Sequence, residues 1–171
     1  KQRPDVVCLQ EIKAHSSQLN QEILSPHGYF SYLNSAEKKG YSGVAVYTLI
    51  EPDRMETRLG WDHADTEGRY LQLDFGKLSV VSLYMPSGSS GPERQQVKFD
   101  FMDQFMPKLK QMRKKRREFI LCGDWNIAHK QIDIKNWRSN LKNSGFLPEE
   151  RQWMDDVLDG TGYVDAFRVV N

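Results

Sequence analysis

The stretch that decides the fold is Phe119-Ile120-Leu121-Cys122-Gly123-Asp124-Trp125-Asn126. Four apolar residues of high β-propensity lead into Gly-Asp-x-Asn, which predicts a buried strand ending in a polar site. Because alternate side chains of an extended chain face the same side, Asp124 and Asn126 are expected to point together. A carboxylate that can act as base or metal ligand, beside a neutral amide, suits a site that activates water and stabilises a charged oxygen. The structural alternative is an Asx-turn that caps the strand end.

The composition indicates one ordinary globular domain, spanning residues 1–171. A chain of 171 residues is long enough for one hydrophobic core. The net charge of +1 neither favours nor opposes a polyanionic partner. Cys8 and Cys122 lie inside apolar runs, which predicts small buried hydrophobic residues in a reducing compartment. No apolar run is long enough to span a bilayer, so no membrane association is expected. The start at Lys1 without Met, and the stop at Asn171, predict a fragment.

Apolar runs predict further strands upstream of this stretch. Val6–Leu9 is a continuous run typical of a strand covered on both faces, and Glu11 follows it. Residues 71–75 alternate between apolar and polar, which predicts a half-buried strand, joined to the next one by a hairpin at Gly76-Lys77. The other predicted strands are Tyr29–Leu33, Val44–Thr48, Leu78–Tyr84 and Val164–Val170.

Helical periodicity appears in three places. Apolar residues recur at steps of three or four from Glu93 to Lys115, with a kink or break expected at Pro107. A short helix capped by Ser16 or Ser17 and a helix from Pro148 to Gly160 are also predicted. The basic run from Lys108 to Arg117 favours the negative end of the first helix dipole and is typical of a solvated helix end.

The interspersed strands and helices favour an α/β layered fold with mixed sheets. Three polar positions, Glu11, Tyr84 and the pair Asp124 and Asn126, follow or end separate predicted strands. Catalytic groups are often mounted on rigid elements in this way. The structural alternatives are a surface acid for Glu11 and a core aromatic residue for Tyr84.

Seven segments in this order resemble the exonuclease III family of apurinic/apyrimidinic endonucleases, in the endonuclease/exonuclease/phosphatase superfamily. The Leu-Gln-Glu and Gly-Asp-x-Asn pieces are typical of the superfamily, and Asn-x-Gly-Phe-x-Pro-Glu-Glu-Arg of its DNA-repair branch. A bacterial-type member is indicated. The segments are residues 4–13, 40–44, 67–69, 84–88, 123–129, 143–151 and 162–168.

The resemblance implies a four-layer α/β/β/α sandwich, incomplete in this chain, and a phosphodiesterase that cuts DNA 5′ of an abasic site. It also implies 3′-exonuclease or 3′-phosphodiesterase activity. Mg²⁺, with Mn²⁺ as the alternative, is expected to be bound by Glu11, with Asp124 and Asn126 as further candidate ligands. Asp124 is expected to orient or deprotonate water, Asn126 to hydrogen-bond the phosphate or nucleophile, and the Tyr84 hydroxyl to approach the scissile phosphate.

The implied partner is double-stranded DNA with an abasic site or a 3′ end, bound by a cytoplasmic monomer. The residues that resemble DNA-backbone contacts are Lys13, Tyr41, Arg69, Asn140 and Asn143. The resemblance covers the middle two-thirds of such an enzyme and omits an N-terminal Asn and the final third, with its Asp, Asp-His pair and sugar pocket. The chain alone is therefore expected to be nearly inactive. Two alternatives stay open: a phosphoesterase acting on another phosphate, and a non-catalytic DNA-binding derivative.

Overall fold

A computed structural model describes residues 3–170, which form two compact units. The first unit contains residues 3–85 and 117–125, and the second contains residues 86–116 and 126–170. The chain thus leaves the first unit after Met85, returns at Arg117 and leaves again after Trp125.

The first unit holds two β-sheets. In the three-stranded sheet the order is β1-β3-β2, and both pairings are antiparallel. In the four-stranded sheet the order is β4-β5-β6-β7, where β6 and β7 are parallel and the other pairs antiparallel. The mixed sheet predicted from the sequence is therefore present. The strands are β1 (Val6–Gln10), β2 (Phe30–Asn34), β3 (Val44–Thr48), β4 (Arg54–Glu56), β5 (Tyr70–Phe75), β6 (Leu78–Tyr84) and β7 (Glu118–Asp124).

Apolar side chains from both sheets form one core in the first unit. Val44 and Val46 of β3 pack with Leu71 and Leu73 of β5, and all four are fully buried. A hydrogen bond also joins the two sheets, because the Gln10 side chain donates to the Ser82 hydroxyl at 2.9 Å. The β-branched and aliphatic residues that predicted these strands are thus the ones that hold the sheets together.

Strand β5 differs from its predicted half-buried state, because residues 70–74 are buried on both faces. Its polar side chains satisfy one another. The Tyr70 hydroxyl donates to Gln72 at 2.5 Å, and the Gln72 amide donates to Asp74 at 2.7 Å. Buried polar groups are tolerated when they are hydrogen-bonded in this way. The alternation of apolar and polar residues in β5 therefore does not place its polar side chains in solvent. Strand β7, predicted to be buried, lies at the edge of the sheet that residues 3–170 form, and its Ile120 is 50% exposed.

The hairpin at Gly76-Lys77 is confirmed, since β5 and β6 pair through Phe75 and Leu78. The first unit also has two short helices, α1 (Gln21–Leu24) and α2 (Asp62–Thr66). Helix α1 is capped by Asn20, whose side chain accepts from the Ile23 amide at 3.0 Å, so the predicted serine cap is wrong. Ser16–Gln18 forms a separate 3₁₀ turn. Helix α2 and strand β4 carry too few periodic residues to have been predicted.

The second unit is helical among its described residues. Helix α3 (Pro92–Arg113) runs through Pro107 without ending. Of the kink or break expected there, the break is therefore wrong. The long loop before Asn143 contains a 3₁₀ turn (Gln131–Asp133) and helix α4 (Trp137–Asn140). Helix α5 (Pro148–Asp155) opens with proline, as predicted, and continues into a π-helical turn (Asp156–Gly160).

The last predicted strand is wrong, because residues Ala166–Val170 form helix α6. The Asp165 carboxylate accepts from the Arg168 amide at 3.1 Å, which satisfies a donor of the first turn. The β-branched residues there have no neighbouring strand to pair with in the described part of this unit. Among residues 3–170, no helix is long and apolar enough to cross a membrane.

Candidate active site

Tyr84 and Asp124 lie next to each other at the ends of parallel strands. They are paired in register on β6 and β7, and the Met85 amide donates to the Asp124 carbonyl at 2.9 Å. Parallel strands bring their carboxyl ends to one edge of the sheet. The sheet therefore places a buried phenol and an exposed carboxylate side by side.

Glu11 reaches the same place from the other sheet. It follows β1 and adopts a left-handed conformation with φ of 54°. The turn behind it is held by main-chain hydrogen bonds, from Ile12 to Gly43 at 3.2 Å and from Lys13 to Ser42 at 2.8 Å. Lys13 and Ser42 also have positive φ. Such conformations are costly for residues with side chains and concentrate at functional sites.

The Tyr84 side chain lies close enough to both acids, Glu11 and Asp124, for each of them to raise its pKa. Burial raises the pKa of Tyr84, Glu11 and Asp124 raise it further, and nearby Arg69 opposes them. The phenol is therefore protonated at neutral pH and can donate a hydrogen bond.

Arg69 lies beneath this arrangement and is only 1% exposed. Its Nε donates to Glu67 at 2.6 Å and its Nη1 to the Tyr84 carbonyl at 2.9 Å. The guanidinium also lies 4.8 Å from the centre of the Tyr84 ring, within cation–π range. These contacts hold Tyr84 in place, and the contact of Arg69 with DNA stays a prediction.

Gly68 is needed for Arg69 to enter the core. It has φ of 59°, and a β-carbon there would lie 2.6 Å from the Asn34 carbonyl oxygen. No side chain fits at that distance without moving the backbone. Each residue of the Glu-Gly-Arg motif thus has a structural role. Glu67 pairs with the buried Arg69, and Gly68 allows the backbone to pass close to Asn34.

Two further predicted DNA contacts border the site. Lys13 is exposed and pairs with Glu11 at 3.0 Å. The Lys13 hydrogen bond is the main reason that the pKa of Glu11 lies below its ordinary value, which keeps this carboxylate ionised. The half-buried Tyr41 accepts a 3.3 Å hydrogen bond from Arg69. The structure thus brings six predicted residues together: Glu11, Lys13, Tyr41, Arg69, Tyr84 and Asp124.

A divalent metal fits this donor set only in an open arrangement. Among residues 3–170, no three His, Cys, Asp or Glu side chains form a group that could hold a metal. Mg²⁺, however, is usually held by one or two carboxylates and completes its shell with water and substrate phosphate. Glu11 and Asp124 are exposed carboxylates that both lie near the Tyr84 side chain. The residues present therefore fit such an ion.

Asn126 belongs to the second unit and departs from the expected strand geometry. Strand β7 ends at Asp124, and Asn126 has φ of 50°, so side-chain alternation does not extend to it. Asparagine tolerates this conformation better than most residues. The Asn126 carbonyl accepts a 2.6 Å hydrogen bond from the Lys98 ammonium. Its position is therefore set by side-chain contacts as well as by the strand before it.

Asn140 and Asn143 shape their own loop. The Asn140 amide donates to the carbonyls of Lys135 and Asn136, both at 3.2 Å, and the Asn143 amide donates to the Asn140 side chain at 3.0 Å. The neighbouring Arg138 stacks over Trp137, with 4.5 Å between the guanidinium carbon and the ring centre. These hydrogen bonds connect residues within the loop, and its DNA contacts stay a prediction.

Sequence reasoning assigned no role to three residues that support these sites: Glu67, Lys98 and Glu150. Lys98 carried a detectable signal. It lies three and four residues before Phe101 and Met102, on the buried side of α3, where a charged residue is out of place. Its ion pair with Glu150, at 2.6 Å, is fully buried.

Comparisons with known proteins agree with the motifs. The sequence pattern of the Endonuclease/Exonuclease/phosphatase family matches residues 1–168. An exodeoxyribonuclease of Bacillus subtilis is 37% identical over 166 residues, which cover 97% of this chain and 64% of that protein. The DNA repair nuclease APEX1 of Danio rerio is 37% identical over 172 residues, covering 98% of this chain and 54% of that protein.

A solved structure supports the fold as well. The AP endonuclease of Archaeoglobus fulgidus superposes with a TM-score of 0.86 at 25% identity, covering 97% of this chain and 63% of that one. The predicted α/β fold class is thereby confirmed. The chain spans somewhat more than half of the length of each of these three relatives.

Proposed function

The chain belongs to the endonuclease/exonuclease/phosphatase family, and we propose that its protein is a Mg²⁺-dependent DNA-repair phosphodiesterase that cuts DNA 5′ of an abasic site. A 3′-exonuclease activity is the second candidate, because the 37% identical Bacillus subtilis relative is an exodeoxyribonuclease. The two reactions break the same kind of bond, so one site can serve both.

The observation that carries this proposal is the convergence of Glu11, Tyr84 and Asp124. Carboxylates from two sheets meet one buried phenol, and all three positions lie within the matched family motifs. A surface acid and a core tyrosine would not account for the influence that Glu11 and Tyr84 have on each other's pKa. Nor would they account for the left-handed backbone at Glu11.

Each group has a chemical task that its surroundings suit. Glu11, ionised and exposed, would hold Mg²⁺, with Asp124 as the second carboxylate. When bound, the ion would neutralise phosphate charge and favour ionisation of water. Asp124 would orient the attacking water and accept its proton. The protonated Tyr84 hydroxyl would donate to a phosphate oxygen, and the Asn126 amide would donate to the charge that develops in the transition state.

The substrate assignment rests on groups suited to phosphate oxygens. Lys13 lies beside Glu11, and the loop around Asn140 and Asn143 contributes exposed Lys135, Arg138 and Lys142. Cationic groups bind the DNA backbone without reading base sequence, as an enzyme acting on a lesion in any sequence requires. We further propose that the protein acts as a monomer in a bacterial cytoplasm, where Cys8 and Cys122 stay free thiols.

The natural full-length protein should be tested on a duplex with one tetrahydrofuran abasic analogue, beside the intact duplex and an inositol phosphate. We expect cleavage 5′ of the lesion in Mg²⁺, none with chelator, and loss by orders of magnitude in Asp124→Asn. Preference for the inositol phosphate would overturn the DNA assignment and leave the phosphoesterase site intact. Tight duplex binding without cleavage in Mg²⁺ or Mn²⁺ would instead indicate a non-catalytic DNA-binding protein.

A further inference from the structure

A buried ion pair in the second unit lies directly behind Asn126. Lys98 and Glu150 are both 0% exposed, and the Lys98 ammonium lies 2.6 Å from the Glu150 carboxylate. The same ammonium donates to the Asn126 carbonyl at 2.6 Å. Burying two charges is costly, and such a pair is weak evidence for stability by itself. The contact of Lys98 with Asn126 points to a second task for this pair.

Glu150 is held in place by more than Lys98. It accepts from the Leu147 amide at 3.0 Å, which caps the start of α5, and from the Gln95 side chain at 3.1 Å. This carboxylate is therefore anchored to the main chain and to helix α3. It can fix the Lys98 ammonium in one position.

The other side of the Asn126 turn is held by the main chain. The Ala128 amide donates to the Gly145 carbonyl at 2.8 Å. Gly145 has φ of 89°, and a β-carbon there would lie 3.2 Å from the Asn126 carbonyl oxygen. The segment Gly145–Glu150 thus approaches Asn126 twice, once through Gly145 and once through Glu150 and Lys98.

We propose that Lys98, oriented by Glu150, is a positioning residue that holds Asn126 in its left-handed conformation and so aims the Asn126 amide at the reacting phosphate. The inference rests on the proposed function, because it takes Asn126 as a catalytic donor. It gives the Asn-x-Gly-Phe-x-Pro-Glu-Glu-Arg segment a task at the active site: its glycine permits close approach and its second glutamate orients the lysine.

The informative variant in the full-length protein is Lys98→Met, which keeps the length of the side chain and removes the donor to Asn126. We expect kcat on abasic duplex to fall about a hundredfold with KM little changed, the loss that follows when a catalytic group is displaced by about 1 Å. Hydrogen exchange at the Ala128 amide should become faster. Unchanged kcat and exchange in a folded Lys98→Met protein would overturn the proposal.

Gln96→Leu is the matched control on the same helix, because the Gln96 side chain is exposed and donates to Asp100 at 2.8 Å. It should remove one hydrogen bond of α3 while kcat and Ala128 exchange stay close to those of the unaltered protein. An equal loss of kcat in both variants would show that general loosening of the unit is responsible, and would overturn the positioning role.

If Lys98→Met does not fold, the double variant Lys98→Met/Glu150→Gln removes the unpaired buried charge and still lacks the donor. Its kcat should fall as far, and normal kcat would again overturn the proposal. Asn126→Ala distinguishes the catalytic role of Asn126 from the positioning role of Lys98. If it leaves kcat unchanged, the catalytic role of Asn126 fails, and the proposal fails with it. If it is severe, adding Lys98→Met should lower kcat little further, and additive losses would show that Lys98 does not act through Asn126.

Discussion

The guanidinium of Arg69 lies 4.8 Å from the centre of the Tyr84 ring and donates to the Tyr84 main-chain carbonyl at 2.9 Å. One buried cation therefore fixes both the ring and the backbone of the proposed phosphate-binding tyrosine. Its other hydrogen bonds go to Glu67 and Tyr41. The guanidinium nitrogens of Arg69 thus donate to groups within the protein.

Arg69→Lys should therefore impair turnover more than DNA binding. Lysine keeps the charge but lacks the planar fork, so it cannot bond Glu67 and the Tyr84 carbonyl with the same geometry. We expect kcat to fall about tenfold or more, as for a misplaced catalytic group. Steady-state kinetics and equilibrium binding to abasic duplex, measured on the same preparations, give the comparison.

The salt dependence of binding distinguishes this role from a direct phosphate contact. Arg69→Met should leave the slope of log affinity against log salt unchanged, whereas loss of one phosphate contact would reduce it by about 0.9. The variant should lose about 3 kcal/mol of stability, because it removes the 2.6 Å ion pair between Arg69 and the largely buried Glu67. A reduced slope in a folded variant would support the DNA contact predicted from the sequence.

Glu11 and its neighbour Lys13 should have opposite effects on metal affinity. Glu11→Gln removes the charged ligand and should weaken Mg²⁺ binding at least about tenfold, which corresponds to about 1.4 kcal/mol. Lys13→Met removes the cation that competes for the same carboxylate at 3.0 Å and should tighten binding modestly. Calorimetric titration with Mg²⁺ in the absence of DNA measures both. Glu22→Gln, on exposed α1, is the neutral control. Weaker binding in Lys13→Met would contradict this assignment.

Gly123, in the motif that opens the site, should be essential for packing. A β-carbon there would lie 2.3 Å from the Leu83 carbonyl oxygen on the neighbouring strand. Gly123→Ala must push β7 away from β6, and we expect a loss of about 2 kcal/mol or more in the free energy of unfolding. Gly160→Ala is the matched control, since a β-carbon there meets nothing within 4 Å. It should be neutral or stabilising by up to about 1 kcal/mol. Chemical denaturation of the two variants decides the point, and equal stabilities would refute it.

The fold was largely predictable because its strands are long enough to show their pattern. Val44–Thr48 and Leu78–Tyr84 have dense β-branched and aliphatic residues, and both form as expected. The failures have local causes. Residues 166–170 have β-branched side chains but no strand partner in their unit, so the capped helix forms instead. Sequence propensity is a weak guide where tertiary pairing is absent.

The site was predictable in its reacting groups and less so in their supports. Glu11, Tyr84 and Asp124 follow or end apolar runs, which is visible in the sequence. The burial of Arg69 depends on Gly68, which has a left-handed backbone and where a β-carbon would lie only 2.6 Å from the Asn34 carbonyl oxygen. The partnership of Lys98 with Glu150 joins positions 52 residues apart. Such pairings are set by packing, so a single sequence shows only that Lys98 interrupts an apolar stripe.

The loop around Asn140 provides the last prediction. The Asn140 amide donates to two main-chain carbonyls of its own loop, so Asn140→Ala should let the loop open. Because the exposed cations Lys135, Arg138 and Lys142 depend on that shape, the dissociation constant for abasic duplex should rise several-fold. The rise should be equal for different flanking sequences, since phosphates carry no sequence information.

Lys142→Ala distinguishes the effect of the loop's charge on DNA binding from the effect of the loop's conformation. Lys142 is exposed, and its loss should reduce the salt slope of binding by about 0.9, the share of one phosphate contact. Asn140→Ala removes no charge and should lower affinity with a smaller change of slope. Fluorescence anisotropy at several salt concentrations, with duplexes of different flanking sequence, measures both quantities. Unchanged binding in both variants would exclude this loop from the DNA interface, and losses that depend on flanking bases would indicate base contacts in place of backbone contacts.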